Sequence, residues 1–164
     1  MNTTPIRVLF VCLGNICRSP MAEGLFRHLV AQQGLSDKIL ADSAGTSSYH
    51  IGELPDARTC QTTQRRNIEL THRARQFSAK DFQDFDYILA ADQNNLKHIL
   101  RLKNQNYPHC HVHLLRDFDP QVIDASSEVP DPYYGTMKDF EEVFTILERS
   151  CAALLTHIRK AESW

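Results

Sequence analysis

An excess of charge of either sign is missing from this chain. Its 164 residues carry 18 Lys and Arg against 20 Asp and Glu, a formal net charge of −2, which indicates neither a nucleic-acid surface nor an acidic tail. A disulfide framework is missing too. The five cysteines are an odd number and form no CxxC pair, and such thiols fit a reducing, cytoplasmic compartment. The N-terminal segment MNTTPIRVLFVC has one arginine and an apolar run only from Val8 to Cys12, too short for a signal-peptide core or a membrane span. No GxxxxGK followed by Ser or Thr, and no GxGxxG, comes after that run, so nucleoside-triphosphate and dinucleotide binding lack their fingerprints. Repeats, low-complexity stretches and linkers are absent as well. What is present is 42% hydrophobic residues, enough for one domain with its own core.

The hydrophobic pattern alternates strands with helices. Ile6 to Cys12 is apolar nearly throughout, the pattern of a strand covered on both faces of a parallel sheet. Ser19-Pro20 supplies an N-cap and a proline at the first helical position, and Met21, Ala22, Leu25, Phe26, Leu29 and Val30 recur at helical spacing up to Gly34. The unit recurs as a strand from Ile39 to Ser43 and a helix from Pro55-Asp56 to about Arg66. A strand over 87–91, a helix over 93–103, a strand over 112–115 and a long helix over 140–158 complete the chain. Residues 117–137 form a long loop rich in Asp and Pro; such loops are often functional. The alternation argues for a doubly wound α/β domain.

Three cysteines are followed six residues later by arginine: Cys12 by Arg18, Cys60 by Arg66 and Cys110 by Arg116. Inside a helix, six residues turn about 240°, so Arg66 points away from Cys60. Along a strand, Arg116 lies roughly 20 Å from Cys110. Only Cys12 is followed by a loop able to curl, through Gly14 and Asn15, onto a helix N-terminus. Amides of such a loop converge on a tetrahedral anion, the helix dipole adds positive potential, and Arg18 offers a fork matched to phosphate oxygens. The same field favours the thiolate, and Ser19 is placed to donate to its sulfur.

VCLGNICRSPMAE resembles the signature of the low-molecular-weight protein tyrosine phosphatases. DSAGTSSYHIGELPDAR from Asp42, THRARQF from Thr71, FDYILAADQNN from Phe85 and VPDPYYG from Val129 agree in order and spacing. The resemblance spans nearly the whole chain and is weakest over 103–128. It implies a single domain over 1–164 with a flavodoxin-like, four-stranded parallel sheet and helices on both faces. It also implies a two-step reaction: Cys12 attacks phosphorus, Arg18 and the loop amides of Leu13, Gly14, Asn15, Ile16 and Cys17 hold the oxygens, and Asp131 protonates the leaving phenolate. Asp131 then activates the hydrolytic water. Ser19 stabilises the thiolate, while Asn15, Ser43 and His72 support the loop. Neither step needs a metal, and no cofactor is implied. Asp-Pro-Tyr-Tyr-Gly is equally good turn chemistry, so the residues alone leave Asp131 open between acid and turn.

The resemblance places Tyr49, Tyr133 and Tyr134, with Leu13 and Ile16, around a phosphotyrosine ring, and Asp92 near the rim, where a carboxylate also suits a helix cap. Tyr49 departs from the family's common tryptophan, which touches substrate preference. Ile16 stands where the arginine-phosphate branch has threonine and so favours phosphotyrosine. Cys17 is the second cysteine with which relatives shield the nucleophile in a reversible disulfide. The partner expected is a phosphotyrosine-containing protein substrate, a tyrosine kinase among the options, with no nucleic acid or membrane, and the chain itself is expected as a monomer or a weak dimer. Two rivals remain. A thiol-dependent arsenate reductase needs further cysteines after the third strand, and residues 67–109 hold none; a silent phosphate-binding module would lack nucleophile, arginine or acid. His109, His111 and His113 alternate along an extended segment, which edge-strand polarity explains as well as a metal site does.

Overall fold

The computed structural model describes residues 4–103, 105–122 and 127–164. Four parallel strands, β1 (Ile6–Cys12), β2 (Ile39–Gly45), β3 (Tyr87–Ala90) and β4 (His111–Leu114), lie in the order β2-β1-β3-β4. β1 pairs with β2 over its whole length, Cys12 opposite Gly45, and with β3 from Val8 to Val11. Because β1 is central, both its faces are covered: Val8, Phe10 and Cys12 enter one apolar cluster, Leu9 and Val11 the other. That explains a continuous apolar run where a half-exposed strand would alternate.

Helices α1 (Arg18–Gln32), α2 (Ala57–Gln64) and α5 (Met137–Glu162) pack together on the first face. Phe82 of α3 (Asp81–Asp84) and Ile99 of α4 (Gln93–Leu102) cover the second. Among the described residues no helix is long and apolar enough to cross a membrane. The chain leaves β1 towards β2 on one side and returns to β3 on the other. The carboxyl ends of β1 and β3 therefore flank the crevice where sheets of this kind bind ligands.

Several boundaries differ from the sequence reading. α1 begins at Arg18 with Cys17 as its cap residue; Ser19 is not the N-cap, because its hydroxyl is taken by Cys12 and Asn15. α1 ends as expected, Gly34 taking a φ of 71° while the Leu35 amide bonds back to the Val30 carbonyl. α2 stops at Gln64 behind an Asp56 cap that accepts from the Arg58 amide. α5 starts before the apolar periodicity does, because Thr136 and Asp139 form a capping box. β4 is displaced by one residue, as Leu115 already opens a 3-10 turn to Phe118. Of the long 117–137 loop, residues 123–126 lie outside the described residues.

Candidate active site

Cys12 ends the central strand, 3% exposed, and the chain curls from it into α1. The left-handed residue of the curl is Asn15, with φ of 58°, and not Gly14. Asparagine tolerates that region when local bonds hold it, and here they do. Its Nδ2 donates to Ser19 Oγ at 2.7 Å and to Ser43 Oγ at 3.0 Å, while its Oδ1 accepts from His72 Nε2 at 2.7 Å and from the Arg75 amide at 3.0 Å. Ser19 Oγ lies 3.1 Å from Cys12 Sγ. Gly45 is required for a different reason: a Cβ there would stand 2.7 Å from the Leu13 carbonyl oxygen. The carbonyls of Cys12, Leu13 and Ile16 accept from the amides of Thr46, Ser47 and Asp56. The amides of Gly14, Asn15, Ile16 and Cys17 have no acceptor among the described residues, the polarity an anion-binding loop needs.

Behind the loop, His72 Nδ1 stands 3.2 Å from Glu23 Oε1 and 3.3 Å from Asp42 Oδ1, and Ser43 donates to the same Glu23 oxygen at 2.8 Å. Both ring nitrogens of His72 thus have oxygen partners, which fixes the plane of the ring. The atoms of Glu23, Asp42 and His72 lie within 4.8 Å of one another, a spacing that suits ligands, but each is already bonded within this network. His111 and His113, expected on one face, make ring contacts with Tyr87 and Phe118 instead.

The two carboxylates at His72 titrate in opposite directions. Burial opposes the charge of Asp42, but His72, the Ser43 amide and Arg75 outweigh it and hold the carboxyl down at about 2. Burial raises Glu23 despite its partners. For Asp42, the stabilisation is full above its ordinary 3.8 and lost as the pH falls through about 2; Glu23 contributes below its ordinary 4.5 and loses that as the pH rises. Asp42→Asn should therefore melt below the parent at pH 5, and the gap should close between about pH 4 and pH 2 in a series of thermal melts.

Arg18 is buried, 3% exposed. Its Nη1 donates to Asp92 Oδ2 at 2.8 Å and to the Val129 carbonyl at 3.1 Å, and its Nη2 lies 3.7 Å from Asp131 Oδ2. Burial opposes its charge, yet Cys12, Asp92 and Asp131 together raise its pKa. Asp92 also caps α4 through the Asn95 amide, as its sequence position suggested, and it reaches the site through Arg18 without lining the cleft. Asp131 makes the turn that its sequence suggests, Oδ1 accepting from the Tyr133 amide at 3.1 Å, and its Oδ2 is turned towards Arg18. A cleft of about 220 Å³ is lined by Cys12, Leu13, Gly14, Ile16, Cys17, Arg18, Tyr49, His50, Asp131, Tyr133 and Tyr134. Tyr49 and Tyr134 are 76% and 96% exposed, so the mouth is aromatic and the floor is sulfur and guanidinium. Burial, Asp56 and Cys12 push the Cys17 thiol up to about 12, leaving it protonated at neutral pH.

The sequence profile of the low-molecular-weight phosphotyrosine protein phosphatases matches residues 7–163. The chain belongs to that family. Its human member of that name is 46% identical over 149 residues, 90% of this chain and 92% of the relative. The protein tyrosine phosphatase of Entamoeba histolytica superposes with a TM-score of 0.89 at 37% identity, covering 96% of this chain and 99% of that one. A Drosophila arginine phosphatase superposes at 0.88 with 36% identity, covering 94% and 98%. The chain is thus a phosphatase, a hydrolase of phosphoric monoesters.

Of the residues expected at this phosphatase site, Cys12, Leu13, Gly14, Ile16, Cys17, Arg18, Tyr49, Asp131, Tyr133 and Tyr134 line the cleft; Asn15, Ser19, Ser43 and His72 bond to one another behind it, and Asp92 bonds to Arg18 without lining it. Sequence reasoning missed four that the structure adds. Glu23 and Asp42 orient His72. His50 lines the cleft and packs where a Cβ on Gly14 would stand, its Cδ2 2.9 Å from that position. Arg58 donates to the Tyr133 and Gly135 carbonyls while paired with Asp56. Each sits inside a motif already noted, but its partner is far along the chain and no spacing reveals it.

Proposed function

We propose that the chain hydrolyses phosphotyrosine in proteins, and small aryl phosphates, through a cysteinyl-phosphate intermediate. Cys12 Sγ attacks phosphorus, the bond from phosphorus to the phenolic oxygen breaks, and Asp131 gives that oxygen its proton. Water then attacks phosphorus, Asp131 takes a proton from it, and the P–S bond breaks to return the thiolate and inorganic phosphate. Arg18 and the loop amides bind the three non-bridging oxygens, whose charge grows most in the transition state. Ser19 donates to the sulfur when it is anionic, and Asn15 with Ser43 and His72 keeps the loop closed. One observation carries this reading: the buried thiol of Cys12, Arg18 and Asp131 line one cleft with an aromatic mouth, Arg18 lying 3.7 Å from the carboxylate.

Ile16 and the tyrosines offer an aromatic ring apolar walls to pack against, which supports phosphotyrosine over phosphoarginine. Rates on phosphotyrosine, phosphoserine and phosphoarginine peptides of one sequence test this. Phosphotyrosine should be preferred by at least about 100-fold over phosphoserine, since aromatic walls reward a ring and a serine alkoxide is a far poorer leaving group; preference for phosphoarginine would reverse the reading.

All five cysteines are free thiols, which supports a cytoplasmic setting. The neighbouring Cys17 is then a resolving thiol: oxidation of Cys12 to a sulfenic acid is followed by Cys17 attack, loss of water and a Cys12–Cys17 disulfide that reductant reopens. Cys17→Ser should keep basal activity but recover less than about half after peroxide and then dithiothreitol, where the parent recovers nearly all.

A further inference from the structure

We propose that Arg116 is a positioning residue for Asp131, held to that task by Asp119 and Arg149; the proposal rests on Asp131 being the acid. The side chain of Asp119 is 0% exposed and lies between two arginines. Arg149, from α5, donates Nε to Oδ1 and Nη2 to Oδ2, both at 3.1 Å, and Arg116 donates Nε to Oδ2 at 3.1 Å. The Gln121 amide takes Oδ1 as well, at 2.9 Å. With Nε fixed, Arg116 aims Nη1 at the Glu128 carbonyl, 2.9 Å away.

That carbonyl belongs to the anchor of the acid loop. The Gln93 amide donates to Glu128 Oε2 at 2.8 Å, the Val129 amide to the Ala91 carbonyl at 2.8 Å, and Arg18 to the Val129 carbonyl. Pro130 and Pro132 then flank Asp131, and their fixed φ leaves little slack to absorb a shift. The Asp131 side chain is 45% exposed, and among the described residues its carboxylate meets the Tyr133 amide and Arg18. Its place over the cleft is inherited from Glu128 and Val129 more than made by its own contacts. A buried ion group is poor evidence of stabilisation in itself. What this one delivers is a directed bond to the residue three before the acid.

A positioning role separates from a structural one by the leaving group. 4-Nitrophenolate leaves without a proton, whereas phenolate needs one, so kcat/KM on phenyl phosphate reports the acid and on 4-nitrophenyl phosphate barely does. Arg116→Met should lose about 10-fold or more on phenyl phosphate and less than about 2-fold on 4-nitrophenyl phosphate, since misplacement by about 1 Å costs up to about 100-fold. Arg116→Lys keeps the charge but cannot fork to both Asp119 and Glu128; it should recover part of the loss, and it carries the test if the methionine variant does not fold. In an Asp131→Ala background Arg116→Met should add nothing. Equal losses on the two substrates, or additive losses in that background, would overturn the proposal alone. An Asp131→Ala enzyme indifferent to the leaving group would overturn the acid assignment and the proposal together.

Discussion

Cys12→Ser is expected to lower kcat/KM on 4-nitrophenyl phosphate by at least about 10⁴-fold while the chain stays folded. Serine is close to cysteine in size, and Cys12 is buried at the end of a strand paired on both sides, so melting should move by only a few degrees. The chemistry should not survive. The Ser19 hydroxyl lies 3.1 Å from the Cys12 sulfur, and sulfur is by nature the better nucleophile, whereas a serine hydroxyl there has no base to take its proton. Inorganic phosphate should still bind within about 3-fold of the parent, because Arg18 and the loop amides remain. Measured together, rate, melting and phosphate affinity separate loss of the nucleophile from loss of the pocket. Undiminished turnover would sink the mechanism.

Asp131→Ala should cost about 10²–10⁴-fold on phosphotyrosine and phenyl phosphate, the usual worth of a placed acid, and much less on 4-nitrophenyl phosphate. The split follows from where the carboxyl sits. One oxygen is committed to the Tyr133 amide and the other lies on the cleft side, 3.7 Å from Arg18. Removing it strips the leaving oxygen of its proton source but leaves the phosphate grip intact, so KM should change less than kcat/KM. A pre-steady-state burst on 4-nitrophenyl phosphate should grow in this variant, because the second step, attack by water, loses its base while the first hardly slows.

What the sequence made legible was mostly what is local. β1, the Cys12 loop and Arg18 occupy adjacent positions, so their hydrophobic run, curl and charge are read in one window. Asp131 was found through a motif, although its turn chemistry alone pointed nowhere in particular. The start of α1 was misread because Ser19-Pro20 obeys the capping preference, yet its hydroxyl is needed by the thiol and by Asn15. The curl was expected through Gly14 and Asn15 alike, and Asn15 is the one that takes the left-handed φ, held there by its side-chain bonds to Ser19, Ser43 and His72, which come from separate segments. The acids behind His72 come from α1 and β2, far apart in the chain, and only the packing of those elements unites them.

The central place of β1 also governs how the enzyme fails. Loops usually open at little cost, well before the rest of a domain. Here the reactive sulfur terminates the most deeply paired strand, and Asn15 ties the following turn to α1, β2 and the 72–75 segment. Local fraying has no edge from which to reach it. Heat should therefore switch this protein off by global melting, with loss of rate and loss of helical signal falling in one transition.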